Sequence, residues 1–266
     1  MPSPTPGLAL GSPHSERQTA SPPPSASIVV PTLNEEKTLA TVLGPLRQSA
    51  ETLGLELVVS DGGSTDGTLA IALGLADHVV THDAETRQTI AQGRNAGARR
   101  ATTNSVLLFF NADVVLPADL DGFLTDLIEK ARVHGAATCR VLVDPREARL
   151  AERIVLGSAN AIYWTINTLK LVGMGRGEVH AVRRDVFESV GGYREHLAAG
   201  EDFDLFKRLL RQPGVSVSFL WRWVVFEDPR RYRQRGLLRT MGEWSMNALW
   251  VAFRDRSRST VWEEVR

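Results

Sequence analysis

The chain has 266 residues, 43% of them hydrophobic, with a formal net charge of zero and a pI near 7.0. That is enough apolar material for one large core, and the charge balance excludes a globally basic nucleic-acid binder, so no nucleic-acid partner is expected. The single cysteine, Cys139, excludes an internal disulfide and a multi-cysteine metal site.

Residues 1–26 are rich in Pro and Ser and have little to bury, which reads as a disordered leader without the basic start and apolar run of a secretory signal. From Ser27 onward the chain reads as one domain. In "SIVVPTLNEE" a strand from Ser27 to Val30 meets a Pro/Thr/Asn turn and then a helix to about Ala50, with Glu35 and Glu36 in its first turn. "LELVVSDGGSTDGTLAIAL" repeats the pattern, with a strand at 55–60, a polar loop, and a helix from about Asp66 capped by that residue. "DHVV" is a third strand, "ETRQTIAQGRNAGARRA" has helical character despite its glycines, and "SVLLFFNADVVLP" supplies a fourth strand. A helix near 118–133 and the strand "AATCRVLV" follow. Strands alternating with helices predict an α/β fold with a mainly parallel sheet buried on both faces.

After residue 145 the rhythm changes. A long apolar helical segment leads to the glycine-rich turn "GMGRG", then a strand, a short helix and a turn in "EVHAVRRDVFESVGGYRE". "AGEDFDLFKRLLRQPG" predicts a helix with Phe203, Phe206, Leu209 and Leu210 on one face. "VSVSFLWRWVVFED" is a strand pair or one long strand, and the last segment begins very basic and ends as an amphipathic helix. The stretch Ile154 to Val172 is interrupted by too many polar residues and glycines for a membrane span, so the expected location is cytoplasmic.

Three polar clusters, "PTLNEE", "DGGSTDG" and "NADV", each follow the carboxyl end of a predicted strand, where open parallel sheets bind ligands. Asp61 could accept from a nucleobase N–H or a ribose hydroxyl. Glu35 serves equally as a ribose contact or as an acidic residue placed by the helix dipole. Arg94, between Gly93 and Asn95, could reach a diphosphate at the sheet edge. Glu201, Asp202 and Asp204 crowd a helix start, where the dipole alone accounts for them, yet a carboxylate on that corner could take a proton from a hydroxyl. Five arginines between Arg230 and Arg239, in a chain with four lysines, suggest phosphate or carboxylate recognition or a solvated basic loop. The histidines show no metal-ligand spacing and read as structural, His180 least securely.

Taken in order, "SIVVPTLNEEKTL", "ELVVSDGGSTDGT", "GRNAGARRA", "LLFFNADVVLP", "AVRRDVFESVGGYRE" and "GEDFDLFKRL" resemble family 2 glycosyltransferases over residues 27–212. The resemblance implies the GT-A fold, with a Rossmann-like nucleotide-sugar-binding half at 27–145 and an acceptor-binding half at 146–266. It further implies inverting transfer of a sugar from a nucleotide diphosphate donor to an acceptor hydroxyl. In that frame Pro31, Thr32, Glu35, Asp61, Arg94 and Asn111 bind the donor. Asp113 ligates Mg²⁺ or Mn²⁺, and Asp202 is the general base. Glu201, Arg231 and Arg235 are candidates for phosphate or acceptor contact. Where the family's metal motif often begins with Asp this chain has Asn111, which leaves Asp113 as sole direct protein ligand and Asn111 to meet ribose or a metal-bound water. Alternative readings are a noncatalytic nucleotide-sugar-binding protein of the same fold, or a sugar nucleotidyltransferase. The acceptor, whether glycan, small molecule or lipid-linked, has no signature here. The apolar helices after residue 150 admit a peripheral membrane contact.

Overall fold

The computed structural model describes residues 24–83 and 87–254, so most of the expected leader lies outside the described residues. The first half alternates as read: β1 (Ser27–Thr32), α1 (Leu39–Leu53), β2 (Glu56–Asp61), α2 (Thr68–Leu75), β3 (His78–Thr81), α3 (Ile90–Arg100), β4 (Val106–Phe110), α4 (Leu120–His134) and β5 (Gly135–Leu142). The second half holds α5 (Leu150–Thr168), β6 (Val179–Arg183), α6 (Arg184–Ser189), α7 (Glu201–Leu210), β7 (Ser216–Phe226), α8 (Arg230–Arg235) and α9 (Leu237–Arg254).

Among the described residues one seven-stranded sheet runs β3-β2-β1-β4-β6-β5-β7. β6 is antiparallel to both β4 and β5, and the other pairings are parallel, so β6 alone runs against the rest. The carboxyl ends of six strands and the amino end of β6 therefore share one edge. β7 is a single strand rather than a pair, with a register shift against β5 between Cys139 and Arg140.

Alternate residues of the central strands feed two cores. Ile28, Val30, Leu57, Val59, Leu108 and Phe110 face one with α1 and α4, while Val29, Val58, Leu107 and Phe109 face the other with α3, α6 and α7. Burial on both faces explains why these strands read as continuous apolar runs. The glycines of α3 have a packing role. A Cβ on Gly97 would lie 2.4 Å from Val29 Cγ1 and one on Gly93 would lie 3.2 Å from Pro31 Cβ, so the helix rests directly on β1.

Several boundaries differ from expectation. α1 starts at Leu39, leaving Glu35 and Glu36 ahead of it, because both acidic residues are used in the loop. Glu35 N donates to Thr68 Oγ1 (2.7 Å), and Glu36 Oε2 accepts from Gly67 N (3.1 Å). Asp66 caps through an Asx-type bond to Thr68 N (3.0 Å), with Gly67 as the formal N-cap. On α7 the buried apolar residues are Leu205, Phe206 and Leu209, whereas Phe203 turns to a cavity. Among the described residues no helix is long and apolar enough to cross a membrane.

Candidate active site

Just past the end of β4 stand Asn111 and Asp113, and two backbone ties hold this corner. Asn111 N donates to Glu178 O (3.0 Å), and Val115 exchanges hydrogen bonds with Phe226 (2.8 and 3.0 Å). The first tie places the corner beside the amino end of β6, the second beside the carboxyl end of β7. Asp113 thereby meets Glu178, Asp228 and Arg230, with Arg230 Nη2 at 3.9 Å from Asp113 Oδ2 and Arg230 Nε at 2.7 Å from Asp228 Oδ2.

The loop before β6 closes the other side. Asn167 of α5 grips Met174 through both backbone groups (2.8 and 2.9 Å), and Gly173 and Gly175 lie so close to Phe206 that a Cβ on either would come within 2.1 Å of it. This brings Gly177 against Asp202, where an added Cβ would lie 3.1 Å from Asp202 Oδ2. One cavity is lined by Arg94, Asn111, Asp113, Glu178, Glu201 and Asp202, with Arg176, Glu227, Asp228 and Arg230 around them and Tyr163 of α5 on its wall.

Arg94 is wholly buried and spans three elements. Nη1 donates to Glu201 Oε1 (3.0 Å), and Nη2 donates to Asn111 Oδ1 (3.0 Å) and Gly177 O (2.6 Å). Its guanidinium carbon stands 5.3 Å from the Tyr193 ring centre. Arg94 and Asn111, both expected at the donor, line the cavity and are bonded to each other there.

Burial dominates the electrostatics. Glu201 is pushed up to about 7 by burial and by the adjacent Asp202, against the pull of Arg94. Burial also raises Asp202 above the usual carboxylate range, again opposed by Arg94. Asp113 is raised by burial, with Arg230 opposing and Glu178 and Asp228 adding negative charge. Below them Arg176 pairs with Glu178 (3.3 Å) and Glu227 (3.6 Å). Burial works hardest against the charged form of Glu178, but Arg176, hydrogen bonds from its own backbone and from Glu227, and the charge on Arg94 together outweigh it and hold that group low, whereas burial and Glu178 push Glu227 up to about 8.

The donor residues expected on β1 and β2 sit elsewhere along the edge and do not line this cavity. Asp61 is buried and accepts from Thr32 Oγ1 (3.2 Å), Gly63 N (3.1 Å), Ser64 N (2.9 Å) and Ser64 Oγ (2.5 Å), so its carboxylate closes its own loop. Thr32 is buried with it, Pro31 packs under Gly93, and Glu35 accepts from Thr38 Oγ1 (3.2 Å). The Arg231 side chain lies outside the described residues, and Arg235, at the end of α8, is absent from the cavity lining. Arg233 and Arg239 are held near Glu147 and Glu243 (3.6 and 3.0 Å), so much of the basic segment answers acidic residues of the chain itself.

Arg176, Glu178, Glu227 and Asp228 are charged cavity residues that sequence reading missed, and Arg230 is the member of the basic segment that reaches the cavity. One signal existed: "FED" ends β7 as "FNAD" ends β4, with carboxylates just past an apolar strand.

His180 is structural. Its Nδ1 lies 2.8 Å from Arg176 O and must donate there, so Nε2 accepts from the Tyr193 hydroxyl. Burial, then the charge on Arg94, lowers its pKa to about 3. A histidine held neutral when folded and titrating near 6.5 when unfolded contributes fully above about pH 6.5 and progressively less as pH falls toward 3. Between about pH 6.5 and about pH 4 this group should remove about 3 kcal/mol of stability. Urea unfolding of the wild type and of His180→Gln, compared at those two pH values, should show a markedly smaller acid loss in the variant; parallel losses would contradict the assignment.

The sequence pattern that defines Glycosyl transferase family 2 matches residues 27–191. The chain belongs to glycosyl transferase family 2. Among its relatives in the family, the succinoglycan biosynthesis protein ExoA of Rhizobium meliloti is 30% identical over 196 residues, which is 70% of this chain and 58% of that protein. Glucosyl-3-phosphoglycerate synthase of Mycobacterium tuberculosis is 29% identical over 119 residues, 43% of this chain and 36% of the synthase. The chain therefore spans less than two thirds of the length of either relative.

Solved structures of the same architecture include the mannosyltransferase PcManGT from Pyrobaculum calidifontis in complex with GDP-Man and Mn²⁺. It has a TM-score of 0.58 at 23% identity, over 85% of this chain and 65% of that one. The M. tuberculosis synthase in complex with Mn²⁺, UDP and phosphoglyceric acid gives 0.60 at 17% identity, over 86% and 77%. At these identities the likeness concerns the fold, which is GT-A.

Proposed function

We propose that this family 2 chain transfers a sugar, with inversion, from a nucleotide diphosphate donor to an acceptor hydroxyl. The reading is carried by one observation: the end of β4 and the start of α7, distant in sequence, contribute Asp113 and Asp202 to a single cavity. Asp202, raised by burial, would take the proton from the acceptor hydroxyl as its oxygen attacks the anomeric carbon and the bond to the diphosphate breaks. No covalent enzyme intermediate is needed. Glu201, bonded to Arg94, fixes the first turn of α7 and thus the position of its neighbour.

The residues fit a hard divalent cation, and the donor groups at the β4 corner are all oxygens. Asp113 keeps part of its surface open to the cavity, and Glu178 and Asp228 add negative charge that Arg230 answers only in part. Among the described residues no three acidic, His or Cys side chains form a metal cage, which suits an ion completed by substrate phosphates and water. Asp113 would hold Mg²⁺ or Mn²⁺, and the ion would neutralise charge developing on the leaving diphosphate. Donor-free enzyme should then bind Mn²⁺ weakly and bind it better once a nucleoside diphosphate is present, as read by titration calorimetry. Asp113→Ala should lose at least about tenfold of that donor-linked affinity, in line with removal of a direct carboxylate ligand. Tight Mn²⁺ binding without nucleotide, or unchanged binding in Asp113→Ala, would contradict the reading. The expected division into a donor half and an acceptor half enters this proposal as well, with α5 and α7 on the acceptor side.

A further inference from the structure

The helix α5 has two dissimilar faces. One side is buried through Glu152, Leu156, Asn160 and Asn167, and Tyr163 reaches the cavity. The outward side carries Leu150, Ile154, Ile162 and Leu169 at helical spacing, each more than half exposed, and Trp164 is 46% exposed beside them. Trp164 meets Trp221 of the edge strand β7 edge-to-face at 6.2 Å, and Trp221 is equally exposed. Isolated exposed apolar residues are ordinary, but a contiguous stripe with two tryptophans calls for a partner.

The few polar side chains of this face are small hydroxyls, Ser158, Thr165 and Thr168. Thr165 and Thr168 donate their hydroxyls to the helix's own carbonyls at Ala161 (2.8 Å) and Trp164 (2.7 Å). Between Leu150 and Val172 the only acidic residue is Glu152, which is buried and accepts from Arg149 N (2.8 Å). The charges that remain exposed there are Arg153 and Lys170, one toward each end of the stripe, and Arg140 lies over the Trp221 ring at 5.3 Å.

We infer that the outward face of α5, with Trp164 and Trp221, docks on the surface of an anionic lipid bilayer. Apolar side chains flanked by tryptophan and basic residues suit the headgroup boundary, where the rings sit at the interface and the cations meet lipid phosphate. A second copy of the chain fits less well, because a two-fold pairing of antiparallel stripes would set Arg153 of one copy against Lys170 of the other. The opposite side of α5 walls the cavity, so docking would hold that cavity near the bilayer.

Flotation of the full chain with vesicles tests this directly. The chain should float with phosphatidylcholine vesicles containing a third phosphatidylglycerol, and poorly with pure phosphatidylcholine. Ile154→Ser combined with Leu169→Ser should cut partitioning by at least about tenfold, since two large side chains would no longer enter the interface, with unchanged thermal unfolding as the folding control. Arg153→Glu with Lys170→Glu should remove the preference for anionic vesicles. A wild-type chain that stays with the soluble fraction, or serine variants that float equally well, would overturn the inference. So would a chain that sediments as a dimer and becomes monomeric on the serine substitutions.

Discussion

Asp202→Asn is expected to lower sugar transfer by about 10²–10⁴-fold, the range over which a positioned general base contributes. The substitution keeps the shape of the side chain and its acceptance of the Phe203 N–H (2.8 Å), so α7 should start as before. Donor binding, read as a metal-dependent rise in melting temperature, should persist. Separation of the two readouts marks a residue that acts on the acceptor rather than one that builds the pocket. The pH profile gives a second signature. A base must be ionised, and burial raises both Asp202 and, to about 7, Glu201. The rate in the wild type should fall as pH drops through this coupled pair, a macroscopic transition belonging to both groups. Full transfer by Asp202→Asn, measured as nucleoside diphosphate release with the acceptor present, would remove Asp202 from the chemistry.

The second large effect concerns Arg94. Among the described residues it heads the fully buried side chains by size, and it joins α3 to Glu201 of α7, Asn111 just past β4 and the Gly177 carbonyl before β6. Arg94→Met fills much of the volume but leaves the buried Glu201 carboxylate without its cation. Losing one partner of a buried pair costs about 3–5 kcal/mol. The urea midpoint of Arg94→Met should fall accordingly. Arg94→Met together with Glu201→Gln should recover part of the loss, because the stranded charge is then gone. Arg94 is a positioning residue in this account, so where the variant folds, the acidic limb of its pH profile should move up as Glu201 and Asp202 lose their cation. A variant as stable as the wild type with an unmoved acidic limb would show that Arg94 is not the clasp of the site.

The central strands of the first half are legible because each is buried on both faces and spells a continuous apolar run, as in Val106–Phe110. "NADV" and "GED" are legible as site corners because carboxylates placed just after a strand or at a helix start lie at the edge where such sheets bind ligands. The start of α1 is not, since Glu35 and Glu36 look like an acidic first turn while their hydrogen bonds go to the neighbouring loop at Thr68 and Gly67. The bonds from Gly63 and Ser64 to Asp61 are likewise not spelled out by the motif. Arg94 reads as a site residue at the sheet edge, but neither its burial nor its partners, 17 to 107 residues away, leave a local trace. The cluster of Arg176, Glu178 and Glu227 depends on the reversed strand β6 and on the bridge from Val115 to Phe226. Neither is written in any short stretch of sequence.

The stability of this cluster bears on the working pH. Glu227 and Glu201 are raised in the folded protein, so the stability linked to each is fully present below about pH 4.5 and is lost as pH rises from there to about 8 and about 7. His180 acts with opposite sign on the acid side. From about pH 4.5 to about 6.5 the two carboxyl losses outweigh the histidine gain, so these three groups together favour the fold most near pH 4.5.

The account rests on a donor site completed by metal, and the most direct measurement is a thermal-shift panel of nucleotide sugars with and without Mn²⁺. It predicts that one donor raises the melting temperature strongly with Mn²⁺ present and weakly without it, while Mn²⁺ alone shifts little, because the ion needs the diphosphate to complete its shell at Asp113. A panel in which no nucleotide sugar stabilises the chain, or in which the stabilising donor acts equally without metal, would contradict it.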